Sequence, residues 1–86
     1  MPSEVDMHKC PCCGYLTLSE EPPGTFEICP VCNWEDDSVQ FADPTFEEGA
    51  NQVSLERARD NFASYGASSP DALKLVRKPH SEEIPA

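Results

Sequence analysis

Two copies of one hexapeptide pattern, Cys10-Pro11-Cys12-Cys13-Gly14-Tyr15 and Cys29-Pro30-Val31-Cys32-Asn33-Trp34, stand 19 residues apart and carry every cysteine of the chain. Each reads Cys, Pro, any residue, Cys, a residue tolerant of positive φ, then an aromatic. A Cys-x-x-Cys turn must be tight for both sulfurs to face one ion. Proline after the first cysteine presets φ at about −65°, and its missing N–H costs nothing there. Gly14 adopts positive φ freely, and Asn33 does so more readily than most residues. Tyr15 and Trp34 are then placed to pack beside the site and exclude water. Aligning the copies puts Cys12 opposite Val31, which leaves Cys10, Cys13, Cys29 and Cys32 as the ligand set. Their Cys-x2-Cys-x15-Cys-x2-Cys spacing fits a four-thiolate zinc site. Four thiolates leave no vacancy for water, so the expected ion is structural rather than catalytic.

A staple of this kind is what so short a chain needs. With 86 residues, 38% of them hydrophobic and 8% aromatic, there is material for one small domain. A core of that size gives no more than about 3–5 kcal/mol of net stability. No apolar run approaches a membrane span. Met1-Pro2-Ser3-Glu4-Val5-Asp6-Met7 lacks the basic and apolar regions of a secretory signal, so a cytoplasmic location is the expectation. In a reducing compartment, cysteine pairs hold metal rather than lasting disulfides.

Sixteen acidic residues against six basic ones give a formal net charge of −10. Residues 1–43 carry nine acidic groups and a single basic one, Lys9, while residues 44–86 carry seven and five. Phosphate-rich partners are repelled by such a surface, which argues against nucleic acid. Glu35, Asp36, Asp37 and Asp43 lack the spacing of a calcium loop and read as a solvated face, or as a docking surface for a basic partner. Neither histidine belongs to a catalytic constellation. His8 reads as solvated rather than as a ligand, and the chain has no Ser/His/Asp set and no glycine-rich phosphate loop. An enzyme is not expected.

Leu16 and Leu18 alternate onto one face, as do Phe26 and Ile28, with turn chemistry at Ser19-Glu20-Glu21-Pro22-Pro23-Gly24 between them. This predicts a β-hairpin that joins the two cysteine clusters. Residues 33–53 read as acidic and irregular. Leu55, Ala58, Phe62 and Tyr65 form a stripe at helical period, with Ser54 as N-cap and Gly66 as the C-terminal stop. Ser69-Pro70-Asp71 opens a turn or two of further helix before Lys78-Pro79. The expected organisation is a flexible lead-in at 1–9, one domain at 10–78 and a disordered tail at 79–86. Cys12 is expected at the outer edge of its turn, either packing passively or exposed as a reactive thiol.

The run Cys10-Pro11-Cys12-Cys13-Gly14-Tyr15, with Glu27-Ile28-Cys29-Pro30-Val31-Cys32, Trp34-Glu35-Asp36-Asp37, Ala50-Asn51, Ser54-Leu55, Ala58-Arg59, Asn61-Phe62, Gly66-Ala67 and Val76-Arg77, resembles the bacterial cysteine-rich CPCC family. The resemblance implies a small bacterial zinc-ribbon-like protein and brings no biochemical role with it. Asn33 departs from the glycine many double-knuckle proteins have there, which stiffens the second turn. The expected fold is a small α+β metal-stapled domain, a zinc-ribbon-like β-hairpin with two Cys knuckles plus one main α-helix. The expected function is that of a noncatalytic zinc protein acting through protein contacts, with one structural ion. The double knuckle also resembles rubredoxin, so an iron or thiol redox protein is the alternative. A nucleic-acid-binding zinc ribbon is a third reading, opposed by the charge.

Overall fold

The computed structural model describes residues 7–85. Residues 1–6 of the expected lead-in and Ala86 of the expected tail lie outside the described residues. Strands β1 (His8–Lys9) and β2 (Leu16–Leu18) pair antiparallel, with His8 opposite Leu18, Lys9 opposite Leu16 and a bulge between. Helix α1 spans Ser38–Ala42 and helix α2 spans Leu55–Tyr65. Two 3-10 turns follow at Pro70–Ala72 and Ser81–Glu83.

The antiparallel hairpin is present, but its strands differ from those expected. β2 pairs across the first knuckle with β1, and Ile28 bridges Glu35 across the second. Each knuckle reverses the chain through its own backbone hydrogen bonds, Cys10 N–H to the Tyr15 carbonyl and Cys29 N–H to the Trp34 carbonyl, so the segments brought together are those that flank it. Phe26 has φ 60, outside the extended region, and both Phe26 and Ile28 are exposed rather than facing a core. The expected ladder between the clusters is replaced by one side chain. The Glu27 carboxylate accepts from the Ser19 and Glu20 N–H groups, at 2.9 Å each, and from the Ser19 hydroxyl at 3.1 Å.

Helix α2 follows the sequence closely. Ser54 Oγ accepts from the Arg57 N–H at 3.1 Å, and Gly66 sits at φ 89 with its N–H donating to the Phe62 carbonyl. A left-handed residue there is the usual glycine stop. Leu55 and Ala58 are fully buried, and Phe62 meets Tyr15 edge-on with ring centroids 6.2 Å apart. The stripe therefore seals the first knuckle, with Tyr65 at its exposed end.

Helix α1 corrects the expectation of an irregular stretch at 33–53. It has five residues, too few for a hydrophobic period to show, and it depends on its cap. Asp37 Oδ1 accepts from the Val39 and Gln40 N–H groups, while its Oδ2 accepts from the Ala50 N–H at 2.8 Å. Those bonds, the one from Ala50 foremost, hold the Asp37 carboxyl below its ordinary value. Asp36 is fully buried and accepts from both Thr25 N–H and Thr25 Oγ1. Two members of the acidic run are thus internal acceptors instead of a solvated face, since a carboxylate can gather several N–H donors at one point.

The chain after α2 returns to the second knuckle. Ser68 N–H donates to the Cys32 carbonyl at 2.8 Å and Arg77 N–H to the Pro30 carbonyl at 3.2 Å. Residues 80–85, expected as disordered tail, carry a turn that packs on β2, and His8–Lys9, expected as lead-in, are strand. Arg77 grips Glu83 through both Nη atoms, at 2.9 and 2.8 Å, while the His80 N–H donates to the same carboxylate. Glu83 is thereby held at about 2 against an ordinary 4.5, the Arg77 hydrogen bonds acting most strongly. A folded-state value below the unfolded one stabilises fully above pH 4.5 and is lost as pH falls toward 2. Arg77 is partly solvated, so Glu83→Gln is expected to cost only about 1 kcal/mol. Amide exchange should quicken across residues 77–85 of the variant while helix α2 is unchanged.

Candidate metal centre

The two knuckles share one backbone pattern. Cys10 N–H donates to the Tyr15 carbonyl and Cys29 N–H to the Trp34 carbonyl, both at 2.9 Å. Gly14 N–H donates back to the Cys10 carbonyl at 2.9 Å, and Asn33 N–H to the Cys29 carbonyl at 2.7 Å. Gly14 and Asn33 have φ 83 and 71, as the repeat requires. Asparagine at such a φ is strained relative to glycine, though it is among the residues that tolerate it best.

This repetition brings Cys10, Cys13, Cys29 and Cys32 together, with all four sulfurs within 4.8 Å of one another. Cys10 Sγ lies 3.6 Å from Cys32 Sγ, and Cys13 Sγ lies 3.7 Å from Cys29 Sγ. A tetrahedron with metal–sulfur bonds of about 2.3 Å has edges of about 3.8 Å, so the four donors fit one ion. All five cysteines are free thiols. Cys10, Cys29 and Cys32 are almost wholly buried and Cys13 is half-buried. His8 lies on β1 outside this set, and His80 caps the C-terminal turn.

Packed this closely, the sulfurs divide protons unequally. Hydrogen bonding with Cys13 draws the Cys10 thiol down, and Cys10 in turn draws Cys29 down. The same contacts with Cys10 push Cys13 and Cys32 up. A central cation resolves this competition, because each sulfur then binds as a thiolate with a charge to face. Other donors are already aimed at the cluster. Thr17 Oγ1 lies 3.0 Å from Cys29 Sγ, and Cys12 N–H points at Cys10 Sγ from 3.4 Å.

Thr17 is the site residue that the sequence reading missed. It falls between Leu16 and Leu18 in the alternation and so reads as a solvent-facing position, yet it is 6% exposed. Arg59 enters the sequence reading only through the resemblance, with no role of its own. Its Nε donates to the Pro11 carbonyl at 2.9 Å and ties α2 to the first knuckle. Cys12 is also corrected. It is 9% exposed and belongs to the core with Leu18, Val31, Trp34 and Leu55, not to an outer edge. Placing a small apolar side chain there matches Val31 in the second knuckle, which is 1% exposed. Trp34, equally buried, joins the same core from the second knuckle, and Tyr15 packs against it from the first.

No curated protein is recognisable as a relative of the chain by sequence. The comparison with protein families is positive and covers most of the molecule. It includes both knuckles, helix α2 and the turn that ends at Glu83. Matching the cysteine-rich CPCC family over residues 8–83, the chain belongs to that family.

Proposed function

We propose that the protein is a noncatalytic zinc protein of the cytoplasm, held together by one structural ion on Cys10, Cys13, Cys29 and Cys32, and active through contacts with another protein. The observation that carries this reading is the closed set of four sulfurs, all within 4.8 Å of one another, with Cys10 and Cys32 at 3.6 Å and Cys13 and Cys29 at 3.7 Å. Such a set fills a tetrahedral ion completely, so no position is left for a water or a substrate. Zinc suits a tetrahedral thiolate site without redox demands. The net charge of −10 favours a basic protein partner over nucleic acid. Among the described residues no helix is long and apolar enough to cross a membrane.

Native mass spectrometry and elemental analysis of freshly purified protein test the reading. The expected result is one zinc per chain and a colourless solution. One iron per chain with visible thiolate-to-iron absorption supports the rubredoxin-like alternative instead. A folded monomer with no bound ion overturns both.

A further inference from the structure

Between the second knuckle and the segment after α2 runs a groove of about 270 Å³. Ile28 and Leu75 both line it, at 57% and 66% exposure, and both rank among the most exposed large apolar side chains of the chain. Val53 lines it too, along with two carboxylates, Glu35 and Asp71, and no lysine or arginine. Its walls are fixed. Asn51 clasps the Glu35 backbone through two hydrogen bonds of 2.8 Å, and the Ser68 N–H holds the opposite side to the Cys32 carbonyl. Exposed aliphatic side chains on a held groove offer apolar area that a partner's side chain could cover.

We propose that this groove docks a lysine- or arginine-bearing peptide segment of a partner protein, which inserts one aliphatic side chain between Ile28 and Leu75. This rests on the reading above and names the surface that does the work. Charge selects the occupant. The lining mixes apolar and neutral polar side chains with two carboxylates and no cation, and the whole chain is strongly negative, so a second copy meets like charge while a cationic segment is drawn in. Size agrees, because the volume falls just below the roughly 300–1,000 Å³ of small-molecule pockets and suits a side chain with its backbone. Glu35 and Asp71 then face the flanking cations while the aliphatic group displaces water from Ile28, Val53 and Leu75.

The test is fluorescence anisotropy of metal-loaded protein with a labelled short peptide of alternating lysine and leucine, at near-physiological salt. Ile28→Ser and Leu75→Ser, both on exposed side chains that the fold does not need, are each expected to weaken binding about tenfold. Glu35→Gln combined with Asp71→Asn is expected to weaken it about threefold and flatten its salt dependence. Glu47→Gln with Glu48→Gln removes as much charge away from the groove and should leave affinity unchanged. Absence of binding overturns the proposal, as does equal affinity for a lysine–serine peptide or equal loss in the Glu47/Glu48 variant. So does a protein dimer in sedimentation that Leu75→Ser dissolves. Metal content is measured on the same samples. A zinc-loaded chain indifferent to the peptide overturns the docking site alone, whereas a folded ion-free chain overturns the metal reading and leaves the groove test legible.

Discussion

Cys29→Ser is expected to leave the chain unfolded at room temperature. Cys29 has no solvent exposure, its sulfur lies 3.7 Å from Cys13 Sγ, and Thr17 Oγ1 stands 3.0 Å away. Serine keeps the shape but not the chemistry. Its hydroxyl does not ionise near neutrality and is a poor ligand for a thiophilic ion. Structural zinc sites bind with apparent free energies on the order of 10–16 kcal/mol, and that binding is folding free energy. The apolar core alone supplies only about 3–5 kcal/mol, so loss of one thiolate exceeds the margin. Strong chelation of the wild-type protein should do the same to residues 10–32. Trp34, the only tryptophan and 1% exposed, gives the readout: its emission should move to longer wavelength as the cluster opens. Cys12→Ser is the contrasting variant. Cys12 is not one of the four clustered sulfurs, so that protein should still bind one ion and fold, at a cost of about 1–3 kcal/mol for burying a hydroxyl. Hydrogen-exchange protection of the first hairpin that survives metal removal contradicts the argument.

The difference between Cys12 and Cys29 could be read before any coordinates, because the internal repeat assigns a role to each position by comparison with its copy. The same logic fixed the positive φ at Gly14 and Asn33. Helix α2 was legible for another reason: Leu55, Ala58 and Phe62 span enough turns for a period to show, and Ser54 and Gly66 mark its ends chemically. What the sequence hid was choice of partner. Alternation tells which face Leu16 and Leu18 share but not which segment lies beside them, and His8–Lys9 is too short to announce itself as a strand. Asp36 and Asp37 look like surface charge in composition. Their burial depends on Thr25 and Ala50 arriving with N–H donors from 11 and 13 residues away. The C-terminal turn likewise exists through Arg77 reaching Glu83, a contact that no local pattern reveals.

The loop that leads from α1 into α2 shows how much such distant contacts carry, and Gly49→Ala is expected to expose it. A Cβ at Gly49 would sit 2.6 Å from Gln40 Cγ and Cδ and 2.8 Å from its Oε1, closer than packed atoms approach. Gln40 cannot turn aside without loss, because it is fully buried and every polar atom of its amide is engaged. Its Nε2 donates to the Phe46 and Val53 carbonyls at 3.0 Å each, and its Oε1 accepts from Asn51 N–H and Nδ2 at 3.1 and 2.9 Å. Asn51 in turn holds Glu35, so a methyl group at position 49 disturbs the path from α1 to the second knuckle. Overpacking and stranded hydrogen-bond partners together should cost about 2–4 kcal/mol. Gln40→Ala should cost a similar amount, about 2–4 kcal/mol, by leaving the same carbonyls unpaired. The two losses are not expected to add. Once Gln40 is truncated, the methyl group has room, so Gly49→Ala should cost almost nothing further in the Gln40→Ala background. Urea unfolding of the four zinc-loaded proteins measures this coupling, and simple additivity would show that the clash is relieved elsewhere. Bound zinc should stay at one ion per chain throughout, since none of these atoms touches the four sulfurs: the loop and the metal then stabilise the fold as separate devices.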